Sequence, residues 1–191
     1  MKKQLVRFGL VAVVGLFGAM VTGEASARDV AGWKVEGTGS SIQEGAKYKL
    51  FNTDQSTRLV FDDRWGANWG WNANAQPNAV FKRKGGGSGP IKCGDVFALM
   101  VDNRAVVYAK QDWGINLSDR TKLDKDEYYQ WKFSSCTAGQ PISLNATVTL
   151  LNTVENDTLV GCKRAKGVNM CWSNDMKTVR GKNYRTADAP I

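Results

Sequence analysis

From about residue 45 onward, short apolar runs alternate with clusters of Gly, Asn, Asp and Ser. The runs are rich in β-branched and aromatic residues, and apolar and polar positions alternate within them. No stretch carries the i, i+3, i+4 spacing of an amphipathic helix. That pattern predicts short strands joined by turns. The expected strands fall near residues 48–52, 58–62, 67–71 and 79–82, then 96–101, 105–110, 114–117 and 128–133. A third set falls near 146–152, 158–162 and 168–172, with a weaker strand at 183–186. Gly85-Gly86-Gly87-Ser88-Gly89 reads as a flexible connector, and 119–127 and 173–182 as polar loops.

The three sets share motifs in the same order. Leu50-Phe51-Asn52-Thr53, five residues, then Leu59-Val60 matches Leu150-Leu151-Asn152-Thr153, five residues, then Leu159-Val160. Leu99-Met100-Val101-Asp102 followed by Val106-Val107 is a shortened copy. Next comes Trp65-Gly66-Ala67-Asn68-Trp69, matched by Trp113-Gly114-Ile115-Asn116-Leu117 and Lys166-Gly167-Val168-Asn169-Met170. The units close on an aromatic and a base: Phe81-Lys82, Trp131-Lys132 and Tyr184-Arg185.

Three units of four short strands in one domain resemble a β-trefoil. The resemblance implies a six-stranded barrel closed on one side by three hairpins, which removes exposed sheet edges. It covers about 45–187, with repeats at about 45–84, 93–136 and 142–187. An irregular β-sandwich is the alternative, but it gives no reason for three copies.

The first residues belong to a different class. Lys2, Lys3 and Arg7 precede an apolar run from Phe8 to Val21, and Ala25-Ser26-Ala27 is a small-residue cleavage site. Residues 1–27 therefore read as a secretory signal peptide of bacterial appearance, and 28–191 as the mature domain. The apolar run is too short for a membrane anchor. Removing three cations and one anion with that segment takes the net charge from +8 to +6. A basic exported protein suits anionic partners, such as acidic glycans or lipid headgroups; export argues against nucleic acid.

Four cysteines in an exported chain read as two disulfides, with three pairings open. Cys162 and Cys171 are equidistant from the Lys166–Gly167 turn and would face each other across a hairpin. In the trefoil resemblance, Cys93 and Cys136 bracket the middle unit on neighbouring strands. The chain has no His, which removes Ser-His and Cys-His nucleophiles and the usual zinc sites. No cofactor or metal is expected.

Gly66, Gly114 and Gly167 suit a tight turn between the second and third strands of each unit. Trp69, Leu117 and Met170 then point to the core. Asn68, Asn116 and Asn169 point outward, either to shape the hairpin or to meet a ligand. Trp65 and Trp113 stand at hairpin tips, with Lys166 in the third copy; Trp71 and Trp172 would add an aromatic wall, which Asp119 replaces in unit two.

Ricin-type lectins are trefoils, and the similarity implies one sugar pocket per repeat, lined by an acid, an aromatic and an amide. The matching residues are Asp63, Trp65 and Asn68 in lobe one and Asp112, Trp113 and Asn116 in lobe two. Lobe three offers Lys166, Asn169 and Trp172 but no acid. The Q-x-W signature of those lectins is missing, since Tyr129-Gln130-Trp131 sets Gln beside Trp.

The leading expectation is thus a non-catalytic secreted module that binds a glycan or acidic glycoconjugate. A protein-directed role is the alternative, as an inhibitor or a toxin or adhesin subunit that meets a host or cell-surface protein. Plant Kunitz inhibitors are also trefoils, with a basic residue between the first two repeats, where Lys82-Arg83-Lys84 stands. Lys163-Arg164 is a second basic cluster, and Asn116, Asn145 and Asn156 open Asn-x-Ser/Thr sequons that matter in a eukaryotic source.

Overall fold

The computed structural model describes residues 32–63, 69–109, 117–162 and 169–174. Within them the protein is all-β, with twelve antiparallel strands, one 3-10 turn at Asp126–Tyr128, and no α-helical element. Strand β1 is Trp33–Glu36. Unit one holds β2 (Lys49–Asn52), β3 (Thr57–Phe61), β4 (Trp69–Asn72) and β5 (Ala79–Arg83). Unit two holds β6 (Phe97–Val101), β7 (Arg104–Tyr108), β8 (Leu117–Arg120) and β9 (Trp131–Ser134). Unit three holds β10 (Thr147–Asn152), β11 (Asp157–Gly161) and β12 (Met170–Trp172).

Six strands pair in a cycle. β1 pairs with β2, β5 with β6, β6 with β9, β9 with β10, and β10 with β1. The last link, from β2 to β5, is the bridge Tyr48–Ala79, with reciprocal amide bonds of 2.8 Å. β3–β4, β7–β8 and β11–β12 are hairpins that leave the cycle. The registers repeat. Val35 faces Leu50, Phe81 faces Leu99, and Phe133 faces Leu150, and all six side chains are buried. Phe81, Phe97 and Phe133 meet in the middle with ring centroids 4.9–5.2 Å apart.

Three isoleucines, one from the approach to each unit, join in a closed ring of backbone hydrogen bonds. Ile42 N–H donates to Ile142 C=O, Ile91 N–H to Ile42 C=O, and Ile142 N–H to Ile91 C=O, at 2.8–3.0 Å. The three isoleucines are buried. Three residues after each, Gly45, Gly94 and Asn145 all take positive φ, at 77°, 93° and 64°. This Ile-x-x-Gly/Asn repeat carries little sequence signal, because its spacing is short and its neighbours differ.

Among the described residues the third strand of unit two is Leu117–Arg120, so Asp119 lies in a strand rather than a loop; 114–116 of the expected strand lie outside the described residues. The strand beside β10, expected from 183–186, is β1; residues 183–186 lie outside the described residues. Trp33-Lys34-Val35 stands where Trp131-Lys132-Phe133 stands one unit earlier. The first and last units are thus stitched together by the start of the domain.

Both disulfides are present, Cys93–Cys136 and Cys162–Cys171, each with a Cα separation of 5.9 Å. Each contributes roughly 2–4 kcal/mol, largely by restricting the unfolded chain. Two disulfides are compatible with an extracellular location. No helix among the described residues is long and apolar enough to cross a membrane. Residues 1–27 lie outside the described residues.

Candidate functional site

A cleft of about 820 Å³ lies against unit one and opens between the end of β3, the end of β4 and the loop 73–78. Local chemistry shapes each wall. Asn72 folds the loop back by accepting the Asn74 N–H at 2.8 Å on its side chain, while its backbone carbonyl takes the Ala75 N–H at 3.3 Å. Arg58 pins the same loop by donating to the Ala73 carbonyl, and is itself held by Glu36 at 2.7 Å. Gly70 leaves room for Asp62, since a Cβ there would stand 2.7 Å from the Asp62 Cβ.

The far wall comes from unit two. Asp102, at the β6–β7 turn with φ of 49°, accepts the Phe61 N–H at 2.8 Å and the Asn78 amide at 3.1 Å. Its own N–H donates to the Asn78 carbonyl at 3.1 Å. The Trp71 ring completes the lining. One side of it stacks on buried Trp33 at 6.0 Å, which fixes the ring as a plate. Asp62, Asp63 and Asp102 are the charged groups of the lining, and no Lys or Arg is among them. Asn72, Asn74, Gln76 and Asn78 add amides. The cleft therefore offers carboxylate acceptors, two-way amide groups and one aromatic face.

Of the residues expected from the sequence, Asp63 and Trp71 meet in this cleft, and Asp63 is exposed. Trp65, Asn68, Asp112, Trp113, Asn116 and Lys166 lie outside the described residues. Trp172 is corrected: it is 3% exposed, stacked on Trp131 at 6.3 Å and edge-on to Tyr108 at 5.6 Å. It cannot serve as a ligand wall because unit two's last strand covers it. Asn169 closes the third hairpin, with its carbonyl accepting the Cys162 N–H at 3.0 Å. Trp69 is fully buried, as its alternation predicts.

Sequence reasoning missed Asp62, Asp102, Asn72 and Asn78. The signal was thin: Asn72-Ala-Asn-Ala-Gln-Pro-Asn78 reads as an ordinary polar loop, and Asp102 comes from the next unit. The repeated Asn of L-x-N-T proves structural. Asn52 Oδ1 accepts the N–H groups of Asp54 and Gln55 at 3.0–3.1 Å, and Asn152 Oδ1 those of Val154 and Glu155 at 2.9–3.0 Å.

The basic cluster before the glycine run is engaged in ion pairs. Arg83 donates to Glu44 at 2.6 Å and lies 3.6 Å from Asp95, and Lys84 pairs with Asp126 at 2.7 Å. Arg83 is thus held between two carboxylates, while Lys82 stays exposed. No group of His, Cys, Asp and Glu suited to a metal ion occurs among the described residues.

A second cleft, of about 610 Å³, lies where unit one meets unit three. Lys34, Thr53, Asp54, Ser135, Thr147 and Thr149 line it. Asp54 reaches across this seam to accept the Gly161 N–H at 3.0 Å. Partial burial raises its carboxyl above the ordinary 3.8, against the lowering effect of that N–H. Comparison of the chain with protein-family models, curated proteins and solved structures gave no match.

Proposed function

We propose that this protein is a secreted, non-catalytic β-trefoil that binds a glycan, lectin-like, through the cleft of unit one. The observation that carries the reading is the lining itself, a fixed Trp71 plate among three carboxylates and four amides. A pyranose presents one apolar C–H face and a rim of hydroxyls. The apolar face stacks on an indole, and the hydroxyls donate to carboxylates and exchange bonds with amides. With three Asp and no cation in the lining, this cleft suits a neutral sugar or an amino sugar and repels an acidic one. The cyclic pairing of six strands, the three departing hairpins and the isoleucine ring support the trefoil reading. The two disulfides support export.

Calorimetric titration with neutral and amino-sugar oligosaccharides tests it. Trp71→Ala and Asp63→Ala should each lower affinity about tenfold or more, as expected for a stacking plate and a charged acceptor. Binding that survives both substitutions, or no binding by the parent protein across the panel, overturns the reading.

A further inference from the structure

The second cleft differs from the first in holding a cation, Lys34, beside one carboxylate, Asp54, and a set of hydroxyls. Lys34 is half-buried on β1, directly opposite Thr147 on β10. Its ammonium has no ion-pair or hydrogen-bond partner among the described residues, unlike Arg58, Arg83, Lys84 and Arg104, which are all paired. An ammonium that lines a cleft and makes no ion pair is free to meet an anion, with Asp54 as the one carboxylate of the same lining.

The surroundings are hydroxyls. Thr149 Oγ1 bonds both Ser134 and Ser135, the latter at 3.1 Å, so this edge of the cleft is a preordered hydroxyl chain. Thr53 Oγ1 is fixed by Gly32, donating to its carbonyl at 2.9 Å and accepting its N–H at 3.0 Å. Thr147 is exposed and makes no such bond among the described residues. Asp54, held from behind by the Gly161 N–H, can accept a ligand hydroxyl.

We propose that this cleft binds the acidic end of a uronic-acid-type sugar, with the carboxylate on Lys34 Nζ and ring hydroxyls shared among Thr147, Thr149, Ser135 and Asp54. The lining residues come from four segments that the pairing of β1, β2, β9 and β10 brings together: β1, the β2–β3 turn, Ser135 just after β9, and the start of β10. None of them lines the unit-one cleft, so either site can fail alone.

Titration of the mature protein with glucuronate, glucose and inorganic sulfate tests the assignment, read by calorimetry and by amide NMR shifts. Glucuronate should bind at least about tenfold better than glucose or sulfate, the expected weight of one charge-assisted bond or of the hydroxyl set. Lys34→Met, which keeps the apolar stem, should erase the preference over glucose, and Lys34→Arg should restore most of it. Thr147→Val should weaken glucuronate but not sulfate. Trp71→Ala should leave glucuronate binding unchanged. The proposal is overturned if Lys34→Met keeps the preference while the protein stays folded. It is also overturned if sulfate matches glucuronate, or if glucuronate does not bind.

Discussion

Units one and two make the same step, from third strand to fourth, in different ways. Unit one crosses with the short polar loop 73–78; unit two uses residues 121–130, which include the 3-10 turn. In unit two that longer loop folds Tyr128, with Leu123 beside it, onto Val107, Met100 and Val80, and buries them. Val60 occupies the place of Val107 in unit one and stays partly exposed as cleft wall. Asp119, which stands where Trp71 stands, is ion-paired to Arg104 instead of lining a cleft. The lesson is that positions of matching register are covered in one case and left open as cleft wall in the other, according to the loop that follows.

The seams differ in the same spirit. Trp33 and Trp131 each donate an indole N–H to a second-strand carbonyl, Leu159 at 2.7 Å and Val106 at 2.6 Å. Each then stacks on the next unit's tryptophan, Trp71 or Trp172. At the seam of units one and two, Ala79 replaces the tryptophan, and Asn78 donates to the equivalent Leu59 carbonyl at 3.2 Å. An aromatic joint has become a polar one, and the cleft lies beside it.

The largest effect should come from breaking an aromatic joint. Trp131→Ala removes a fully buried ring and orphans the Val106 carbonyl, and should cost about 3–5 kcal/mol in chemical denaturation. Ala79 shows that a unit can lack the ring only when a donor such as Asn78 stands in for it. A cost below 1 kcal/mol would therefore dissolve the contrast between the seams. Next, Tyr128→Ala should cost about 2 kcal/mol by uncovering Val107, and leave binding at the unit-one cleft untouched. Loss of that binding would mean the two loops are not independent.

Gly161→Ala sharpens the seam of units one and three. A Cβ there would lie 2.5 Å from Asn52 Oδ1 and 2.7 Å from Asp54 Cβ, so roughly 1–3 kcal/mol should be lost in thermal or denaturant unfolding. The smallest effect is electrostatic. Asp54 holds its proton more tightly folded than unfolded, so it favours the folded state below pH 3.8 and that contribution fades as pH rises through its raised folded value. Asp54→Asn should flatten the fall in stability just above pH 3.8, measured by denaturation across pH. An unchanged slope would show that the carboxyl is not desolvated by the seam.

Much of the fold was legible because it is written locally. Alternation gives strands, the L-x-N-T asparagines cap turns within three residues of themselves, and Cys162 and Cys171 face each other across one hairpin. The exclusion of histidine chemistry follows from composition alone. The cleft was only half legible. Asp63 and Trp71 carry a local pattern, but Asp102 enters from another unit and Asn78 from a loop without a signature. Trp71 and Trp172 look alike in sequence, and only the cover over Trp172 separates plate from core.

By itself the sequence determined the all-β class and most strand positions, since those depend on neighbours a few residues apart. Tertiary structure decided the rest. It placed Trp33–Glu36 beside β10, joined three isoleucines in one ring, and brought Lys34, Asp54 and Thr147 to one seam. The curled sheet pairs residues more than a hundred positions apart, Trp33 with Val148 among them, and no local pattern encodes which distant strand will supply the partner.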